Sequence, residues 1–250
     1  MTLRCLDSHA ELLDATSGDP FIRFDLPNPL EHPAWSLGDA VAVPRRTHTR
    51  RLGLLVMGPA AHAGALVRRL AAQGLLADLG GVTVSRGSLD AVAEHLALGE
   101  GNEWEWLYAA SPPPVVAAES RLVALSRNDV DDIRSLLDLA NPATDARPFE
   151  FPDQHWVGAH DELGTLVACG VREPNLAGWP ILSGITVHPA RRGTGLGLAV
   201  TAHLTRAAVH ETGVCTLGLY SHNDVARRVY HGLGYGGDHL WSSRRLAPTH

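Results

Sequence analysis

At 250 residues, 45% hydrophobic and 19% charged, the chain has the composition of an ordinary globular protein, long enough for one large domain or two modest ones. Its net charge of −6 argues against an electrostatic grip on nucleic acid, which needs clustered positive charge. No stretch approaches the ~18 apolar residues of a membrane span, and the N-terminus carries no secretory apolar run, so a cytoplasmic protein is expected.

In chain order, Leu52–Met57 reads as a buried strand, followed after Gly58-Pro59 by a helix through Leu70. No Gly-Lys-Ser/Thr follows Gly58, so this is a tight strand-to-helix turn rather than a phosphate loop of the Walker type. Val82–Val84 is a second strand, and Ser88 is placed to cap a helix running to Leu98. Trp104, Trp106 and Tyr108 alternate as on a strand, and packing beneath a linker explains them better than a ligand platform. That linker is 113–119, opening on the last two of three consecutive prolines, which forbid helix and interior strand. It divides an α/β segment at 1–112 from a second domain at 120–250.

In the second segment Arg121–Leu125 reads as a strand, and Asn128 as the cap of a helix with Val130, Ile133, Leu136 and Leu137 at helical spacing. Trp156–Ala159 and Leu166–Gly170 form a hairpin, and Ile181–Val187 a central strand. A glycine-rich stretch, Arg191-Arg192-Gly193-Thr194-Gly195-Leu196-Gly197, leads into a helix with Leu196, Val200, Leu204 and Ala208 along one stripe and Gly213 as its stop. Val214–Tyr220 is another strand, Asn223–His231 a short helix with Ser221 and Asp224 at capping-box spacing, and Leu240–Leu246 the last strand.

Four features bear on chemistry. The cysteines Cys5, Cys169 and Cys215 lie far apart and the histidines include no pair at i, i+4, so neither disulfide framework nor metal site is expected. All 21 basic residues are arginine, so no lysine can serve as a base. The glycines at 193, 195 and 197 let backbone N–H groups approach an anion at the positive end of the following helix. A pyrophosphate and a purely structural turn are both consistent with that stretch taken alone. On the short helix, Asn223, Ala226 and Tyr230 share one face.

With these two clusters in this order, the sequence resembles the GNAT superfamily of N-acetyltransferases. The resemblance rests on Arg192-x-x-Gly195-x-Gly197 after Val187-His188-Pro189, and on Asn223, Ala226, Tyr230 and Leu233-Gly234-Tyr235. It covers about 120–246 and looks closest to the glycine N-acyltransferase-like branch, in which a degenerate domain of the same fold precedes the active one. It implies an α/β (α+β) fold with a mixed, mostly antiparallel central sheet flanked by helices. It also implies acetyl-CoA, or another short acyl-CoA, as donor. The backbone of Ile185, Thr186 and Val187 would pair with the pantetheine arm. The amides of Arg192, Gly193, Thr194, Gly195, Leu196 and Gly197 would hold the pyrophosphate, and Asn223 would bond the pantetheine. Tyr230 would protonate the leaving thiolate.

One departure stands out. The family's glutamate base corresponds to Ile181, and that strand has no carboxylate. His155, His160, Glu173 and His188 are the other candidates, each read more readily as a surface or loop residue, and the base stays unassigned. The expected activity is transfer of an acetyl or short acyl group to a primary amine, borne by a small molecule or a protein. A CoA-binding module without catalysis is the alternative, and a homodimer is compatible with the sequence.

Overall fold

The computed structural model describes residues 1–47 and 50–247. The first half carries β1 (Arg4–Leu6), α1 (His9–Ala15), α2 (Pro20–Asp25), β2 (Ala34–Leu37), β3 (Ala40–Arg46), β4 (Leu52–Met57) and α3 (Ala60–Ala72). There follow β5 (Gly81–Ser85), α4 (Leu89–Ala93), β6 (Leu98–Ala109), β7 (Val123–Ala124), α5 (Val130–Ala140), β8 (His155–His160) and β9 (Leu166–Pro174). The chain ends with β10 (Pro180–Val187), α6 (Leu196–Thr212), β11 (Cys215–Tyr220), α7 (Asp224–Gly232) and β12 (Gly236–Leu246).

Two compact units result, and neither is a continuous half of the chain. The first contains Met1–Trp106, Leu219–His222 and Gly237–His250; the second contains Leu107–Gly218 and Asn223–Gly236. In the first, the strand order is β1-β2-β3-β4-β5-β12-β6, so the last strand of the chain completes the first unit's sheet. Leu54 and Val56 of β4, Val82 and Val84 of β5, and Leu66, Val67 and Leu70 of α3 form its core. Burying each such side chain is worth roughly 1.5–3 kcal/mol. Trp104 and Trp106 join a second cluster: Phe21 meets Trp106 edge-on at 5.3 Å and Trp241 at 4.7 Å, and Trp104 lies 6.1 Å from Trp241. Trp106 and Trp241 are fully buried and Trp104 is half-buried against Trp241.

In the second unit the order is β11-β10-β9-β8-β7, antiparallel except for the β10–β11 pair. Alternation along β9 assigns its two faces. Cys169 and Val171 pack in one cluster with Ile133, Leu136 and Leu137 of α5 and with Trp156. Gly170 faces the other way, where a Cβ would come within 2.6 Å of Val200 on α6. The stripe of Leu196, Val200, Leu204 and Ala208 is buried as its spacing predicts.

Several local expectations are corrected. The helix expected from Ser88 to Leu98 is only Leu89–Ala93, with Leu98 already in β6, and the Ser88 hydroxyl donates to the Gly58 carbonyl at 2.7 Å instead of capping. Arg121 closes a 3-10 turn, so the expected strand shrinks to β7. The cap before α5 is a reciprocal pair one turn earlier. Ser126 accepts from the Asn128 N–H at 3.2 Å, and Asp129 accepts from the Ser126 N–H at 2.6 Å. Serine and aspartate at this spacing were the signal available in the sequence.

The segment after the prolines is tied to α6 by charge. Arg206 ion-pairs with Glu119 and donates to the Pro113 carbonyl at 3.2 Å, and His203 lies 3.6 Å from the same carboxylate. Burial raises the Glu119 pKa, but the Val116 N–H and the Arg206 guanidinium outweigh it and hold the carboxyl below its usual value. A lowered folded pKa contributes stability that is present above the ordinary value of ~4.3 and is lost as pH falls through the folded one. Glu119→Gln is therefore expected to cost about 2 kcal/mol at pH 7. Urea midpoints should show the gap closing in acid, and a gap unchanged at about pH 3 would exclude this pair as its source.

Candidate active site

The parallel ladder between β10 and β11 joins Ile181 to Thr216 and Leu182 to Leu217 and goes no further, although β10 runs on to Val187. On its other edge β10 stays paired to β9 through Val187, with one extra residue bulged out between Ser183 and Thr186. Gly184 occupies the bulge at φ +61°, and a Cβ there would meet Ala146 at 2.9 Å and Trp156 at 3.3 Å. Glycine is required on both counts. The bulge re-aims the strand just where its β11 partner is lost. Ile185 and Val187 are half-buried, while Thr186 is buried and its hydroxyl accepts from Asn141 Nδ2 at 3.1 Å.

Beyond β10 the chain makes a 3-10 turn, Pro189–Arg191, capped by His188, whose Nδ1 accepts from the Ala190 N–H at 3.2 Å. Arg192, Gly193, Thr194 and Gly195 are exposed, Leu196 is buried and Gly197 half-buried. The Thr194 hydroxyl donates to the Arg191 carbonyl at 2.6 Å, and the Arg192 guanidinium reaches the Ala140 carbonyl at 3.4 Å. Gly195 is the N-cap of α6 at φ +82°, and no side chain caps the helix. The first-turn N–H groups of a helix have no intrahelical acceptor, so α6 presents uncapped amides at its positive end. Added to the exposed glycine turn, they form an anion-binding geometry.

α7 supplies the other side chains. Its N-cap is Asn223, whose Oδ1 accepts from the Ala226 N–H at 3.1 Å, which replaces the expected Ser221–Asp224 pair. Ser221 instead accepts from Arg86. One lone pair of its oxygen is committed to the cap, and Asn223 keeps its Nδ2 group to offer a ligand. Tyr230 is 8% exposed, its ring 5.9 Å from that of Tyr235, and burial pushes its phenol up to about 12. Tyr235 is held in a buried network that sequence spacing does not reveal: its hydroxyl lies 2.7 Å from Thr205 Oγ1 and donates to Cys215 Sγ at 3.2 Å. Burial raises the Cys169 and Cys215 thiols to about 12, so neither is a thiolate nucleophile near neutrality.

The remaining base candidates separate clearly. His155 is exposed at the start of β8, His160 is half-buried at its end, and His188 serves the turn. Glu173, on β9, accepts from Gln154 Nε2 at 2.5 Å and lies in register opposite Ile181. Among the described residues no group of His, Cys, Asp and Glu could hold a metal ion, and no helix is long and apolar enough to cross a membrane.

Residues 127–235 match the model of the Acetyltransferase (GNAT) family. Solved structures share the fold along nearly the whole chain. A GCN5-related N-acetyltransferase from Sphaerobacter thermophilus is 16% identical with a TM-score of 0.56, over 97% of this chain and 95% of that one. One from Kribbella flavida is 17% identical with a TM-score of 0.54, over 97% and 96%. An acetyltransferase of the GNAT family from Colwellia psychrerythraea is 12% identical with a TM-score of 0.52, over 99% and 100%. No curated protein matches the sequence.

Proposed function

We propose, from the premise that residues 127–235 are a GNAT acetyltransferase domain, that this protein moves an acetyl or short acyl group from coenzyme A to a primary amine. Acyl-CoA-dependent acyl transfer is the chemistry of that family. The observation that carries the reading is the uncapped start of α6 behind an exposed glycine turn, next to a β10 edge that has lost its β11 partner. Pyrophosphate oxygens take the amides from Arg192 to Gly197, and the pantetheine amides pair with the backbone of Ile185, Thr186 and Val187 as an added strand would. Asn223 donates through Nδ2 to the same arm. An amine attacks the thioester carbonyl, the C–S bond breaks, and Tyr230 faces the departing sulfur.

Tyr230 at about 12 is a poorer acid than a thiol of ~8.5 by roughly three to four units, about 5 kcal/mol against complete transfer to a free thiolate. Its role is therefore a hydrogen bond that strengthens as charge develops on sulfur, with the proton following late.

The first unit has no coenzyme site of its own. Its counterpart of the loop is closed: β4 and β5 pair through Val56 and Val84, next to their ends. A Cβ on Gly58 would lie 2.4 Å from the Asp39 carbonyl, and Pro59 at the N-cap of α3 has no N–H to give. Calorimetric titration with acetyl-CoA is expected to saturate at one equivalent per chain. Two equivalents would assign the first unit a site, and no binding would remove the acyl-transfer reading.

A further inference from the structure

Beyond Leu182, β10 has to keep its shape with β9 on one side and no strand on the other. Its backing comes from the residues that leave α5. Asn141, the C-cap of α5, donates from Nδ2 to the Thr186 hydroxyl at 3.1 Å. Thr186 is 4% exposed, so its hydroxyl has little water to fall back on if that bond is lost. Five residues further on, Ala146 is buried against the bulge, where a Cβ on Gly184 would come within 2.9 Å of it. The segment 141–146 therefore meets β10 twice, at the residues that flank Ile185.

That segment is itself fixed. The Asn141 N–H donates to the Leu137 carbonyl at 2.8 Å, and the Asn141 carbonyl accepts from the Thr144 N–H at 3.0 Å. The Ala146 N–H donates to Thr144 Oγ1 at 3.2 Å. Arg192 ties the glycine turn to the same end of α5 through the Ala140 carbonyl. On the β9 side, the His188 N–H donates to the Val167 carbonyl at 2.8 Å. Neighbouring residues on an antiparallel strand turn their N–H and C=O groups to opposite edges. Val187 therefore directs its own to the edge without a partner. Thr186, held by Asn141, immediately precedes it.

We infer that Asn141 is a positioning residue for the acyl donor, its bond to Thr186 fixing the unpaired edge of β10 in the form that the pantetheine arm pairs with; this rests on the acyl-transfer reading above. Asn141 acts through Thr186 and not on the coenzyme. Without the amide, the Thr186 hydroxyl is buried with its partner gone, and the strand shifts to hydrate it, taking Val187 along. An edge shaped in advance spares the ligand the cost of ordering it, so the loss falls on coenzyme binding. The chemical step, once the coenzyme is seated, keeps its rate.

The test uses the full chain, with calorimetry for the Kd of acetyl-CoA and thiol release with a panel of alkyl primary amines for kcat and KM. Asn141→Ala and Thr186→Val each remove the bond and should raise Kd and the KM for acetyl-CoA about tenfold, with kcat within about twofold of wild type. Thr186→Ser keeps the hydroxyl and should stay within about threefold of the wild-type Kd. The double variant Asn141→Ala/Thr186→Val should bind no more weakly than the poorer single one, because the same bond is lost once. Thr186→Val preserves the shape of the side chain, so it reports even if Asn141→Ala does not fold. An unchanged Kd in Thr186→Val, a Thr186→Ser as weak as Thr186→Val, losses that multiply in the double variant, or a fall in kcat alone each overturn the inference while the acyl-transfer reading stands. Wild-type protein that binds no acetyl-CoA refutes that reading, and the role of Asn141 with it.

Discussion

Gly195→Glu should fold normally and lose acetyl-CoA binding by more than about 10²-fold, the largest effect expected of any single change outside the core. The position is exposed, and an added Cβ would meet only Ala118, at 3.8 Å. The φ of +82° costs an L-residue roughly 1–2 kcal/mol. A carboxylate at the start of a helix is favourable to the dipole by a few tenths of a kcal/mol to about 1 kcal/mol, which offsets part of that strain. On the proposed reading, the same carboxylate occupies the amides that take the pyrophosphate and repels it. Circular dichroism should therefore be native while calorimetry shows no heat of binding. A folded variant with undiminished affinity would mean that the uncapped turn is structural and that the coenzyme, if bound, lies elsewhere.

Tyr230→Phe should retain acetyl-CoA affinity and lose about 10²-fold in kcat. The substitution removes one oxygen from a ring packed beside Tyr235, and among the described residues no side-chain hydrogen bond is recorded to the Tyr230 hydroxyl. Little stability is therefore at stake, and the rate reports the chemistry. Because burial holds the phenol near 12, it stays protonated across the neutral and mildly alkaline range. A wild-type rate that fell with a tyrosine-like ionisation near the ordinary value of ~10 would contradict the buried environment. Full activity in Tyr230→Phe would make the ring a packing residue and assign the departing thiolate its proton from another donor.

Elements whose signals are local were legible along the chain. The stripe from Leu196 to Ala208 and the stop at Gly213 fix α6, because helical periodicity and a left-handed cap act within a few residues. The glycines before it and the Asn223–Tyr230 face of α7 were legible for the same reason, as was the β8–β9 hairpin around its turn. Short-range signals failed where a competing contact lay far off in sequence. Ser88 does not cap because its hydroxyl is taken by Gly58, thirty positions back, and Ser221 is drawn away from α7 by Arg86.

The rest follows from contacts between residues far apart along the chain. That β12 closes the first unit's sheet depends on ladder pairing with β5, whose partners are separated by more than half the chain. That β10 parts from β11 after Leu182, next to a bulge where a Cβ on Gly184 would crowd Ala146 and Trp156, has no signature in spacing. The position of Glu173 is of this kind. Along the chain it is one carboxylate among many, eight residues before Ile181. Strand register sets the two side by side, because hydrogen-bonded ladders relate residues by geometry across strands rather than by distance along them.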